Sequence, residues 1–240
     1  ETADGGPALL IGSLWCEEGD VYNAALLLDA GKIHAARLKH DLPNYGVFDE
    51  KRVFEIGPLP GPMNFRGVRL GVMVCEDMWA GDVTECLEES GAEILVVINS
   101  SPFEDEKQDQ RLNLAVARVT ESGLPLIYVN QIGGQDELVF DGSSFALNGD
   151  SSLCAQTASW REDILATHWK REDSGWVCDI AERIAAPEGE ASVYAAMVLG
   201  LRDYVRKNGF PGVIIGLSGG IDSALTAAVA VDALGADHVR

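Results

Sequence analysis

Positive charge is scarce in this chain. Eighteen Lys and Arg stand against 38 Asp and Glu, a formal net charge of −20 over 240 residues. A chain with no basic stripe cannot neutralise a phosphate backbone, so nucleic-acid binding is excluded as its role. Paired cysteines are missing too. Cys16, Cys75, Cys86, Cys154 and Cys178 are odd in number, scattered and never in a CxxC pair. That excludes a disulfide framework and a cysteine zinc site, and points to a reducing, cytoplasmic setting. His34, His40, His168 and His238 show no metal-ligand spacing. No apolar run reaches membrane-spanning length, and no signal peptide or internal repeat is visible. What remains is a 47% hydrophobic chain, long enough for one large core or two smaller ones.

The stretch 68–79 organises the rest. Val68, Leu70, Val72 and Val74 alternate with Arg69, Gly71 and Met73, which predicts a strand. It runs into Cys75, and the Glu76 and Asp77 that follow cannot continue a buried strand cheaply. A cysteine at the C-terminal tip of a strand sits where α/β folds place their chemistry. The turn after it can expose the sulfur and aim a backbone N–H at a forming oxyanion. A small buried apolar residue is the competing reading.

Along the chain, Ala8 to Gly12 reads as a short buried strand, and Tyr22 to Lys39 as a hairpin turning at Asp29 to Lys32. Lys39 falls at the end of its second strand. Leu42 to Glu50 is a loop rich in breakers and aromatics, of the kind that shapes a site. Leu59 to Pro62 is a turn. Helices are expected at Asp82 to Ser90, stopped by Gly91, and at about Glu106 to Ser122, closed by Gly123. The second carries an apolar stripe of Leu112, Ala115, Val116 and Val119. Ile94 to Ile98 and Leu126 to Val129 are strands, and Val139 to Gln156 a hairpin around Asn148-Gly149-Asp150. The mixture of alternating strands and helices with flanking hairpins predicts an α/β sandwich. Periodicity fades from Trp160 to about Glu190. It resumes in a helix through Val193, Met197, Leu201 and Val205, then a strand, Val213 to Gly216. The chain begins at Glu1 with no Met and stops at Arg240 inside a βα unit, so a fragment of a longer protein is expected.

After that last strand comes Leu217-Ser218-Gly219-Gly220-Ile221-Asp222-Ser223, then an alanine-rich helix from Ala224 to Leu234. Two glycines let backbone approach a charged ligand, the serines offer hydroxyls, and a helix N-terminus offers free N–H groups. The Lys of the common P-loop is absent. Gly216 to Gly220 also fits G-x-S-x-G, the nucleophile elbow of serine hydrolases. Such an enzyme needs Asp and His later, and only His238 follows.

The 217–223 stretch resembles the loop of the ATP-pyrophosphatase group of adenylating enzymes, several of which draw ammonia from glutamine. Upstream, Lys39, Leu42-Pro43-Asn44-Tyr45-Gly46-Val47-Phe48-Asp49-Glu50, Cys75-Glu76-Asp77-Met78-Trp79 and Asn99-Ser100-Ser101-Pro102-Phe103 with Lys107 and Arg111 resemble the nitrilase family. The two in this order have the layout of the glutamine-dependent NAD⁺ synthetase family. The resemblance implies a nitrilase-like α-β-β-α sandwich over 1–172, a linker over 173–190, and the start of a Rossmann-like adenine nucleotide α-hydrolase domain over 191–240. It implies Cys75 as the nucleophile toward glutamine, and Lys39 with the Glu76 N–H as the oxyanion partners. Tyr45, Ser101 and Lys107 would bind L-glutamine, against bland readings as a packed aromatic, a helix cap and a surface charge. Gly216, Leu217, Ser218, Gly219, Gly220, Ile221, Asp222 and Ser223 would hold ATP, with Asp222 on Mg²⁺. Deamido-NAD⁺ is the implied acceptor substrate and a homo-oligomer the implied assembly. The family's general base is a glutamate on an earlier strand. Glu1, Glu17 and Glu18 sit in the wrong context, so that base is expected before residue 1, with Glu50 matching a second, supporting glutamate. A stand-alone nitrilase-type amidohydrolase and a catalytically dead ATP- or partner-binding scaffold are the rival readings.

Overall fold

The computed structural model describes residues 2–3 and 5–240; Glu1, set aside above as a base, lies outside them. Three strands, β1 (Leu9–Glu17), β2 (Asp20–Asp29) and β3 (Lys32–Leu38), form one antiparallel sheet in that order. Both of its turns are two-residue connections with positive φ throughout, Glu18-Gly19 and Ala30-Gly31. That is the twist-matched turn of tight hairpins. The first of these hairpins went unread in the sequence. β1 also differs from the expected short buried strand: it is longer, lies at the sheet edge and is largely exposed. Apolar residues in an edge strand need not be covered on both faces, so its composition overstates its burial.

The second sheet has six strands in the order β11-β10-β7-β6-β5-β4: β4 (Met63–Phe65), β5 (Val68–Val74), β6 (Ile94–Asn99), β7 (Leu126–Asn130), β10 (Phe145–Leu147) and β11 (Leu153–Gln156). β5, β6 and β7 run parallel, and β4, β10 and β11 are antiparallel flanks. Alternation along β5 feeds two cores. Met73 joins Leu87, Leu95, Val97, Ala115, Val119, Leu126 and Leu147 beneath the helices α1 (Asp82–Glu89) and α2 (Lys107–Ser122). Val72 and Val74 pack with Met63 against Ala25 and Leu27 of the three-stranded sheet. Helix, sheet and sheet are therefore stacked as in the expected α-β-β-α sandwich. The central strand is buried on both faces, as parallel strands are.

The expected hairpin over 139–156 is two hairpins. β8 (Ile132–Gln135) pairs with β9 (Leu138–Asp141), and β10 pairs with β11. The stretch 173–190, expected as a linker, holds more structure than that. β12 (Trp169–Glu172) and β13 (Gly175–Cys178) form a hairpin, and Cys178 is buried with Cys154 of β11. Strands of only four residues carry little periodicity, which hid this hairpin.

α3 (Gly189–Lys207) and α4 (Ile221–Leu234) close the chain. The inward face of α3 is Ala196, Leu199 and Val205, whereas Val193 and Met197 of the expected stripe are exposed. Close approach decides this. Gly200 sits against the β8–β9 hairpin, where a Cβ on Gly134 would stand 3.0 Å from the Gly200 Cα. The strand expected over 213–216 is reduced to one parallel bridge, Val213 with Val239. It is extended by the bonds from the Ile215 N–H to Arg240 O and from the Arg240 N–H to Val213 O. This is the first βα unit of the Rossmann-like part. Among the described residues, no helix is long and apolar enough to cross a membrane.

Candidate active site

Cys75 follows β5 directly and opens a 3₁₀ turn, Cys75–Met78. Its φ is +49°, a left-handed conformation that a non-glycine residue adopts at a cost of about 1–2 kcal/mol. The strand ends here because the chain turns sharply, which lifts the thiol off the parallel edge. Asp77 holds the turn. The strand ends before it, as expected, and Asp77 itself stays buried because its two oxygens accept three backbone N–H groups. These are Val74 at 2.9 Å, His40 at 3.0 Å and Asp41 at 2.8 Å. Burial raises the Asp77 carboxyl above its ordinary range, and the three bonds oppose that shift. Asp77 thus ties the Cys75 turn to the segment after Lys39. No local pattern announces this role, because two of its three partners are 36 and 37 residues away.

Lys39 stands just past β3, with its N–H on Asn23 O and its carbonyl on the Gly57 N–H. Gly57 packs so closely that a Cβ there would fall 2.6 Å from Leu38 Cβ. The Lys39 side chain is 1% exposed, unlike the solvated strand end a single lysine suggests. Its ammonium donates to both Glu50 oxygens, at 2.8 and 2.9 Å. A buried cation needs such a partner. Cys75, Lys39, Glu50, Phe48, Asn23, Asn99 and Gln131 line one cavity of about 450 Å³. Cys75, Asn99 and Asn130 stand at or just past the C-terminal ends of the three parallel strands, where open α/β sheets place ligands.

Burial pushes the Cys75 thiol up to about 11. The Lys39 charge pulls it down, and Glu76, Glu50 and Asp77 push it up again. The resting group at neutral pH is therefore a thiol, and attack on a carbonyl requires a base to take its proton. Alkylation of Cys75 by iodoacetamide should quicken about tenfold per pH unit from roughly pH 7 to 10. Lys39→Met removes the opposing charge, raises the thiol further and should slow alkylation at fixed pH. A rate that levels off near neutral pH would contradict this electrostatic picture.

The three residues expected to bind glutamine are placed differently. Tyr45 donates its hydroxyl to the Glu76 carboxylate at 2.8 and 3.0 Å, beside the nucleophile. The Lys107 ammonium lies 5.0 Å from the Trp79 ring centroid and 3.3 Å from Glu104. Ser101 is buried, and α2 begins only at Lys107, so it does not cap that helix. It belongs to a network that the sequence left unread. Arg111, 2% exposed, bonds both oxygens of Asp141 at 2.8 and 2.9 Å, Ser101 Oγ at 3.0 Å, and the carbonyls of Ser101 and Pro102. Asn130 accepts from the Ser101 N–H. This network holds the 99–103 segment behind the cavity.

The 217–223 loop lies elsewhere and is almost wholly exposed. Ser218 and Ser223 hydroxyls are 3.1 Å apart, Gly219 has φ +86°, and nothing lies within 4 Å of a Cβ built on Gly216 or Gly219. Gly220 caps α4 without a side-chain bond, which leaves the first-turn N–H groups free for an anion. Asp222 sits in that first turn. One carboxylate beside free N–H groups fits a Mg²⁺ held mainly by phosphate oxygens and water.

The sequence pattern of the carbon–nitrogen hydrolase family matches residues 2–175, and that of NAD synthase matches residues 193–240. The glutamine-dependent NAD(+) synthetase of Rhodobacter capsulatus is 48% identical over 98% of this chain. The chain spans 43% of that relative's length. The structure of glutamine-dependent NAD⁺ synthetase from Acinetobacter baumannii in complex with ADP superposes with a TM-score of 0.91 at 40% identity. That match covers 97% of this chain and 44% of the other. A mutant of the amidase from Nesterenkonia sp. AN1, with acrylamide added at its active-site cysteine, matches over 65% of this chain and 61% of its own. Its TM-score is 0.57 at 26% identity.

Proposed function

The chain belongs to the carbon–nitrogen hydrolase family, and from that premise we propose that it is the glutaminase part, with the start of the synthetase part, of a glutamine-dependent NAD⁺ synthetase. One observation carries the proposal. A strained Cys75 shares a cavity with a buried Lys39 paired to a half-buried Glu50, and a serine- and glycine-rich loop at a helix N-terminus follows in the same chain. We draw the glutaminase unit through the β12–β13 hairpin and begin the second unit at α3.

In this reading Cys75 Sγ attacks the side-chain amide carbon of glutamine. The oxyanion is met by the Lys39 ammonium and the Glu76 N–H, both acting where negative charge develops. Glu50 holds the Lys39 ammonium in place through both carboxylate oxygens. The proton lost by the Cys75 thiol passes through a carboxylate base of the full-length protein to the amide nitrogen, which leaves as ammonia; water then hydrolyses the thioester to glutamate and free thiol. Tyr45, Ser101 and Lys107 serve glutamine binding, Tyr45 through its bond to Glu76 and Ser101 through its buried network. At the second site, residues 216–223 would hold ATP; the carboxylate of deamido-NAD⁺ attacks its α-phosphorus, pyrophosphate leaves, and an adenylate forms. Ammonia displaces AMP to give NAD⁺. Asp222 would hold Mg²⁺, which supplies charge neutralisation on the pyrophosphate. A homo-oligomer belongs to the same reading. Exposed Val47, Val53, Ile56 and Leu59 beside the site offer apolar surface for it.

The test uses the full-length gene product that carries these residues. Incubated with glutamine, ATP, Mg²⁺ and deamido-NAD⁺, it should form NAD⁺ and AMP in equal amounts. Glutamate released with no AMP would replace this reading with that of a plain amidohydrolase.

A further inference from the structure

The Gly134 peptide is gripped at both ends by one helix. Its N–H donates to Asp203 Oδ2 at 2.8 Å, and its carbonyl accepts from the Lys207 ammonium. Both side chains come from the last turns of α3, which also packs on α4 through Tyr194 and Asp232, 2.7 Å apart. Gly134 lies in β8, and the hairpin it belongs to is anchored at the Cys75 cavity at one end and in the Arg111–Asp141 network at the other. Before β8, Gln131 lines the Cys75 cavity, with its N–H on Asn99 O and its side chain on Ser100. After the turn, Asp141 closes β9 and is the buried partner of Arg111. The glycines are required here. A Cβ on Gly133 would come 3.1 Å from Asp203 Oδ2, and one on Gly200 3.0 Å from Val139 Cγ2. Plain packing of helix on hairpin would not need a carboxylate and an ammonium aimed at one peptide.

We propose that Asp203 and Lys207 are positioning residues for the Cys75 site, acting through the Gly134 peptide and the β8–β9 hairpin. The wall of the glutamine cavity is then held by the helix that also supports the 217–223 loop. The proposal rests on the glutaminase role argued above. It identifies what holds the cavity wall, namely residues outside the family pattern that covers 2–175.

The test compares wild type, Asp203→Ala, Asp203→Asn and Lys207→Met in the full-length protein. The readouts are Cys75 alkylation by iodoacetamide, KM for glutamine, and glutamine consumed per NAD⁺ formed. Asp203→Ala and Lys207→Met should each change the alkylation rate by about threefold or more, because small displacements in a site are felt strongly. They should also raise KM for glutamine and waste glutamine. Asp203→Asn keeps an oxygen acceptor for the Gly134 N–H and should restore wild-type alkylation and KM. Wild-type alkylation and KM in both Asp203→Ala and Lys207→Met would overturn the proposal, whatever happens to Tm. A wild type that forms no NAD⁺ would count against the synthetase reading, and the alkylation comparison would still decide the grip.

Discussion

Cys75→Ala is expected to abolish glutamine-driven NAD⁺ synthesis, by roughly 10⁴-fold or more, and to leave ammonia-driven synthesis within about twofold of wild type. The sulfur forms the only covalent bond to glutamine in the proposed reaction, so no other group can share its role. Free ammonia bypasses that half, and the 217–223 loop is built on elements distinct from the Cys75 cavity. The cavity should tolerate the change, because alanine removes a half-buried sulfur without leaving a charge unpaired. Both routes would be assayed on one preparation with ATP and deamido-NAD⁺ in excess. Loss of ammonia-driven synthesis as well would show that the two sites are not separable as drawn.

Arg111→Met should lower stability by about 3–5 kcal/mol, because it leaves the Asp141 carboxylate buried without its cation. It also strips partners from the Ser101 and Pro102 carbonyls. For a chain of this size that is a fall in Tm of roughly 6–20 °C. The double variant Arg111→Met, Asp141→Leu should be less destabilised than the sum of its single variants, since it removes both charges together. Thermal unfolding of the three variants measures the effect. A single-variant shift below about 3 °C, or strict additivity, would mean that the pair is not the buried linchpin its geometry describes.

Much of the fold could be read from the chain because its signals are local. The alternation in β5, the β-branched run in β6, the Gly123 stop of α2 and the Ala30-Gly31 turn each rest on neighbours a few residues away. Where reading failed, the deciding neighbour was distant. β1 reads as buried by composition but lies at an edge. The face of α3 is chosen by Gly200 meeting Gly134, and the 173–190 stretch holds a strand of four residues, too short to show a period.

The site divides in the same way. Residue chemistry and order singled out Cys75 at a strand end and a serine- and glycine-rich loop opening a helix, and the family resemblance added Lys39 at another strand end. Those motifs carry their own backbone requirements, which one stretch of sequence can state. Only tertiary structure paired Lys39 with Glu50, buried Asp77 on three backbone N–H groups, removed Ser101 from the helix cap into the Arg111–Asp141 network, and set Asp203 and Lys207 on Gly134. A buried polar group must find partners, and which partners it finds depends on segments 10 to 69 residues away that folding brings within about 3 Å.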